Sequence, residues 1–178
     1  LFDRLGRFAG LGKEMETIAL RSLAAYPGLQ IKAAGIATAR QLIEVHTGEG
    51  VLTSILHTYA IIERFTPQFV PAMRAARQQQ SEVSFTTINR LHYPLALIAM
   101  ALLPAIMLLA WRKSIPADIG ELVAAVTFAL LANAFFCGAL SNPHDRYGAR
   151  MVWLAIFAGA LALLRLCQQR RRGPARDI

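Results

Sequence analysis

Residues 93–111 read YPLALIAMALLPAIMLLAW and carry no charged side chain. A second uncharged stretch, LVAAVTFALLANAFFCGAL, covers residues 122–140. An apolar run of about 18 residues is long enough to cross the hydrocarbon core of a bilayer as a helix. Two such runs in a chain of 178 residues predict an integral membrane protein rather than a soluble domain.

A third apolar stretch, MVWLAIFAGALALL, covers residues 151–164. As a helix it would rise only about 21 Å, less than the roughly 30 Å of hydrocarbon. We therefore extend the third span at both ends, so that Arg150 and Arg165 lie near its ends and reach the headgroups. The three predicted spans cover about 91–111, 122–140 and 147–166.

Residues 1–88 differ from these runs because charged residues recur every few positions. Helical spacing of apolar residues predicts a first helix that ends at Pro27, followed by helices over about 29–45 and 52–65. No stretch shows the alternation typical of a strand. The helix at 29–45 is expected to lie on the membrane surface or to pack on its neighbours; the alternative is a separate domain with its own small core.

The sequence thus predicts an all-α integral membrane protein in which an amphipathic helical domain precedes three transmembrane helices. The predicted divisions are an extramembrane domain at 1–88, a transmembrane domain at 89–168 and a basic tail at 169–178.

The chain has a net charge of +8, and its most concentrated basic segment is the last residues, QQRRRGPARDI. A basic segment that follows an apolar helix marks the cytoplasmic side of a membrane, so this charge does not require a nucleic-acid partner. We predict a multi-pass protein of the bacterial inner (plasma) membrane. Its C-terminus would be cytoplasmic and its N-terminal domain periplasmic.

The loop SNPHDRYGAR, at 141–150, separates two apolar spans. Much of it is explained as the start of the third helix, with Asn142 as N-cap, Pro143 as the first helical residue and Asp145 at the third position. Tyr147 suits the aromatic belt at a membrane surface.

Arg146 and Arg150 are four positions apart and would share one helix face. Two arginines beside a helix N-terminus suit a phosphate group, because arginine binds phosphate with two parallel hydrogen bonds. At a membrane surface the phosphate would belong to a lipid. The alternative is that these charges only set the depth of the helix. The complete predicted lipid- or phosphate-binding set is Arg146, Arg150, His144, Tyr147, Arg90 and His92.

Other chemistries lack a pattern in this chain. His92, His144 and Asp145 have no metal-ligand spacing, so we predict no metal and no cofactor. His46 and His57 receive no role, and no nucleophile elbow, phosphate-binding glycine loop or zinc-protease motif occurs. The sequence offers no catalytic constellation, and activity as an enzyme stays undecided.

The amphipathic stretch ALRSLAAYPGLQIKAAGIATARQL before the spans, and the Arg146-Tyr147 pair in a late charged loop, are similar to the GT-C superfamily of polyprenyl-phosphate-dependent glycosyltransferases. The resemblance implies that Arg146 and Tyr147 face a lipid-linked donor. The catalytic carboxylate of that family, in the first outer loop of a long chain, has no counterpart here. The resemblance therefore implies the C-terminal part of a longer polytopic protein.

Two functions follow from these observations. The first is a membrane module that binds an anionic phospholipid or polyprenyl-phosphate headgroup at its outer face, within a larger glycosyltransferase-like protein. The second is an accessory or scaffolding subunit of a multi-subunit membrane complex, with no catalysis of its own. In the second, protein subunits would be the partners and Asn133, the one strongly polar residue of the second span, would bond helix to helix.

Overall fold

The computed structural model of the chain describes residues 11–51 and 56–172. All regular elements in these two ranges are helical, which confirms the predicted all-α class. In chain order they are α1 (Gly12–Ala25), α2 (Pro27–Ile43), α3 (Leu56–Phe65), a 3-10 turn (Pro67–Phe69), α4 (Val70–Arg74), α5 (Thr86–Trp111), α6 (Ala117–Ala134), a π-helical turn (Phe135–Ala139), α7 (Asp145–Ala149) and α8 (Trp153–Arg172).

Three helical stretches are long and apolar enough to cross a membrane: Thr86–Trp111, Ala117–Ala139 and Asp145–Gln168. They coincide with the three predicted spans, so the chain is a membrane protein with three candidate spans in its described part. The second stretch begins at Ala117 rather than near 122. Asp118 lies in the first turn of α6, where a carboxylate meets the positive end of the helix dipole.

Small side chains fill the contact between the three spans. Ala155, Ala158 and Ala162 of α8 are almost fully buried and lie in one apolar core with larger residues of α5 and α6, including Leu103 and Val123. Small residues let helix backbones approach closely, which favours association of helices in lipid.

The helix α2 packs against the end of the second span. A Cβ atom added to Gly138 would lie 2.6 Å from the Ala37 carbonyl oxygen, so the two backbones are in direct contact there. The predicted packing of this helix on its neighbours is therefore present, although α2 begins and ends two positions earlier than predicted. Whether residues 11–51 lie outside the bilayer stays a prediction.

Residues 44–50, EVHTGEG, follow α2 and return to the bundle. Val45 is buried against Ala96 of α5 and Val152. Gly48 has a φ of +103° and lies against the Phe85 ring, which a Cβ atom at this position would overlap. The 44–50 segment thereby connects α2 to the ends of two spans.

The predicted extramembrane domain at 1–88 includes 1–10, which lie outside the described residues, and two further predictions also fall partly outside them. The third predicted helix, 52–65, includes 52–55, and the basic tail includes 173–178. The described remainder of this third helix is helical as α3, and that of the tail continues α8.

Candidate functional site

A group of polar side chains joins the 44–50 segment to the loop before α7 and to the first turns of α5. We call this group the polar cluster; its members are Gln41, His46, Thr47, Glu49, Asn89, His92, His144 and Asp145. It lies at the end of the bundle where the second span stops and the third begins.

Two imidazole–carboxylate contacts cross between the segments in opposite directions. Asp145 Oδ1 accepts a hydrogen bond of 2.7 Å from the His46 backbone N–H and lies 3.0 Å from His46 Nδ1. In return, Glu49 Oε1 lies 2.6 Å from His144 Nδ1. Each segment therefore contributes one imidazole and one carboxylate, which fixes the position of one segment along the other.

Gln41 anchors the end of α2 to the same loop. Its side chain is 1% exposed. It donates to the His144 carbonyl oxygen at 2.9 Å and accepts from the His144 backbone N–H at 2.8 Å. A buried amide with both ends bonded satisfies the requirement that buried polar groups have partners.

The first turns of α5 hold the 44–50 segment from the other side. Asn89 accepts from the Thr47 backbone N–H at 2.9 Å and donates to the Thr47 carbonyl at 2.8 Å. His92 Nε2 lies 3.0 Å from the Val45 carbonyl oxygen. These side chains bond the backbone of the 44–50 segment. The Nε2 atom of His92 therefore already has a partner within the protein.

The predicted helix start at Asn142 is wrong. α7 begins at Asp145, and His144 occupies the N-cap position with extended backbone angles (φ −149°, ψ 137°). Asp145 is the first helical residue instead of the third. Its carboxylate bonds His46, from a segment distant in the chain, and this contact replaces the local capping bond that the spacing suggested.

The anion expected at this helix start is a side chain of the protein itself. Glu49 Oε2 accepts a 2.7 Å hydrogen bond from the Arg146 backbone N–H. Both carboxylates of the polar cluster are thus held by backbone N–H groups and imidazoles, and neither neutralises an arginine side chain.

Three predicted arginines remain exposed around the cluster: Arg90, Arg146 and Arg150. Among the residues that the structure describes, none of the three guanidinium groups has a carboxylate partner. The Arg146 guanidinium lies 5.0 Å from the centre of the Tyr147 ring and donates to the Tyr147 hydroxyl at 3.2 Å.

An open cavity of about 360 Å³ lies beside the cluster and is lined by Thr86, Asn89, Arg90, Tyr93 and His46. The His46 ring stacks on the Tyr93 ring with centroids 4.0 Å apart. The cavity wall therefore combines one arginine, one imidazole, one phenol, one amide and one hydroxyl group, a set that suits a polar ligand.

The predicted site residues are brought together only in part. The Tyr147 ring contacts both the His144 ring and the Arg146 guanidinium. Arg90 lines the same cavity as His46, a member of the polar cluster. Sequence reasoning missed His46, Glu49 and Gln41. The run HTGEG carries a signal, since polar residues with two glycines between apolar helices often form a functional turn; Gln41 carries none.

Asn133 of α6 donates to the Tyr147 carbonyl oxygen at 3.4 Å and accepts from the Cys137 thiol at 3.6 Å. It therefore contacts the beginning of the third span within the same chain. Cys137 and Cys167 are both free.

No group of three or more histidine, cysteine or acidic side chains in the described ranges is arranged to hold a metal ion. The fold and the cluster define an all-helical membrane protein whose candidate spans share a polar, arginine-bordered end. Comparison with protein-family models, with curated proteins and with solved structures gives no match.

Proposed function

We propose that the chain is a membrane module that binds the phosphate headgroup of an anionic lipid, either a phospholipid or a polyprenyl phosphate. The principal phosphate-binding residue is Arg146, and Arg90 and Arg150 contribute positive charge. One observation carries the proposal: the cluster neutralises its own carboxylates internally and leaves three arginines without an acidic partner in the described residues.

The surroundings of Arg146 support this role. Its guanidinium is placed over Tyr147, and this contact limits the conformations of the side chain. Among the described residues its guanidinium has no carboxylate partner, and arginine offers phosphate two parallel hydrogen bonds. His92 and His144 act differently, since they hold the backbone of the 44–50 segment and Glu49.

The location is part of the proposal. We place the polar cluster at the outer face of a bacterial inner membrane and the C-terminal end of α8 in the cytoplasm, because arginines concentrate in the last turn of α8 and beyond it. The similarity of the Arg146-Tyr147 pair to glycosyltransferases of the GT-C type favours a role beside a lipid-linked donor in a larger protein.

The test is lipid retention by the purified chain in native mass spectra. Arg146→Ala should lower the amount of co-purifying anionic lipid severalfold. Arg146→Lys should give an intermediate loss, because lysine keeps the charge but cannot form the two parallel hydrogen bonds of a guanidinium group. Arg112→Ala, an exposed arginine at the opposite end of α5, is the matched control. Equal retention by Arg146→Ala and Arg112→Ala would refute the headgroup site.

A further inference from the structure

One face of α5 changes from polar to apolar along its length. Positions 86, 89, 90 and 93 line the polar cavity beside His46. Positions 97, 100, 101 and 104 continue the same helical face at spacings of three and four residues and line a second, apolar cavity. The two cavities therefore lie on one face of α5, one helical turn apart between Tyr93 and Leu97.

The opposite walls of the two cavities also come from neighbouring stretches of the chain. Leu42 and Ile43, at the end of α2, line the apolar part together with Thr127, Leu130 and Leu131 of α6. His46 lines the polar part only three positions further along the chain. Both cavities thus lie between α5 and the 42–46 stretch, and Val45 packs against Tyr93 and Leu97 at the level between them.

The apolar length of this face is close to the thickness of one leaflet. α5 is 26 residues long and rises about 39 Å, which exceeds the roughly 30 Å hydrocarbon core. If Trp111 marks one surface, Arg90 lies in the opposite headgroup layer. Tyr93 and Pro104 are about 16 Å apart along the axis, close to half of the core, or about 15 Å.

The apolar part has a volume of about 380 Å³ and opens sideways toward the surface that faces lipid, since Ala101, Pro104 and Leu131 are exposed. At its upper end Arg90 has no carboxylate partner in the described part of the chain. The charge of the polar end complements a phosphate, and the apolar length below it complements a single hydrocarbon chain.

We infer that the two cavities form one groove along α5 and that this groove is a specific site for one acyl chain of an anionic glycerophospholipid of the same leaflet. Its acyl chain extends from Tyr93 toward Pro104, and Arg90 contributes positive charge to its phosphate. This inference rests on the proposed headgroup function and narrows it, because a chain of one leaflet's length fits the groove and a much longer polyprenyl chain extends beyond it.

Two tryptophan variants of the full chain test the groove. Ala101→Trp fills the apolar part, whereas Ala105→Trp adds the same bulk at an exposed position of α5 outside the lining. The probes are dioleoyl phosphatidylglycerol, its short-chain dihexanoyl analogue and a long polyprenyl phosphate, each titrated into the detergent-purified protein and counted by native mass spectrometry.

We expect Ala101→Trp to weaken binding of the dioleoyl lipid about fivefold, roughly 1 kcal/mol, and Ala105→Trp to leave it unchanged. The dihexanoyl lipid should bind both variants equally. Equal losses of dioleoyl binding in the two variants would mean that lipid covers the surface without a specific site. A loss of binding restricted to polyprenyl phosphate would mean that the groove holds a different occupant. Either result overturns the inference.

The headgroup is judged separately by Arg90→Ala. A fall in dihexanoyl and dioleoyl binding supports the phosphate position. Suppose that Arg90→Ala and Arg146→Ala leave the binding of both lipids unchanged, while Ala101→Trp still lowers dioleoyl binding. The acyl-chain site is then supported, and the proposed headgroup function is refuted.

Discussion

The Gln41 amide bonds both the N–H and the carbonyl of His144, a residue 103 positions away in the chain. The Gln41 side chain is almost fully buried, so water cannot replace it as the hydrogen-bond partner of either backbone group of His144. Through this contact the end of α2 is fixed to the loop that begins the third span. The arginine-bordered site is therefore built on a buried bond rather than on a flexible loop.

Gln41→Leu should destabilise the chain markedly. The substitution keeps the approximate volume but leaves the buried backbone N–H and C=O of His144 without partners, which costs about 2–3 kcal/mol. Thermal unfolding in detergent measures the loss. Gln30→Leu, whose amide bonds Ser22 on an exposed surface, should change the melting temperature little; similar losses in both variants would contradict the role of Gln41.

Glu49→Gln should loosen the 44–50 segment. The carboxylate accepts from the Arg146 N–H and contacts His144 Nδ1, and charge-assisted bonds of this kind contribute about 1 kcal/mol when partly exposed. Hydrogen exchange of the Arg146 amide should become faster. Glu63→Gln breaks an exposed pair with Arg74 and should leave that exchange rate unchanged, as expected for a surface ion pair.

Gly148→Ala should separate α7 from the 44–50 segment. A Cβ atom at this position would collide with the Glu44 carbonyl oxygen and contact Val45. The carbonyl belongs to the backbone, which cannot move aside as easily as the end of a flexible side chain. We expect a loss of about 1–3 kcal/mol, measured by unfolding in sodium dodecyl sulfate. Gly159→Ala places its methyl group in open space and should be neutral or slightly stabilising.

Asn133→Leu should expose Cys137. The thiol loses its partner on Asn133, and the contact of Asn133 with the Tyr147 carbonyl disappears, at a cost of about 0.6 kcal/mol for a bond between spans. In a Cys167→Ser background, maleimide should label Cys137 faster than in the parent. Unchanged labelling would show that Asn133 does not hold the helices together at this end.

Two serines test the proposed orientation. Ser141 and Ser114 are exposed in the loops at opposite ends of the second span. In a chain with its native cysteines replaced by serine, a membrane-impermeant maleimide should label Ser141→Cys, but not Ser114→Cys, in spheroplasts. The reverse pattern would place the polar cluster in the cytoplasm.

The sequence was sufficient for the spans because their formation depends on local properties. Long uncharged runs at 93–111 and 122–140 determine helices by length and apolarity alone, and the helix break at Pro27 follows from the missing N–H of proline. The structure places breaks and spans within a few residues of these predictions.

The polar cluster could be predicted only in part, because its contacts are not local. The spacing predicts that Asp145 is a capping residue, yet its carboxylate bonds His46, 99 positions earlier. His46 and Glu49 had no partners within reach of a helical turn. Their roles depend on how α2 docks against Gly138, which is a property of the packed bundle.

The long separation of the cluster's partners sets an order of events during synthesis. Gln41, His46 and Glu49 are made 103, 99 and 97 positions before their partners. At about 5–20 residues per second on the ribosome, this is a delay of roughly 5–20 s. The arginine-bordered end is therefore completed last, when the third span has left the translocon and α2 closes over it.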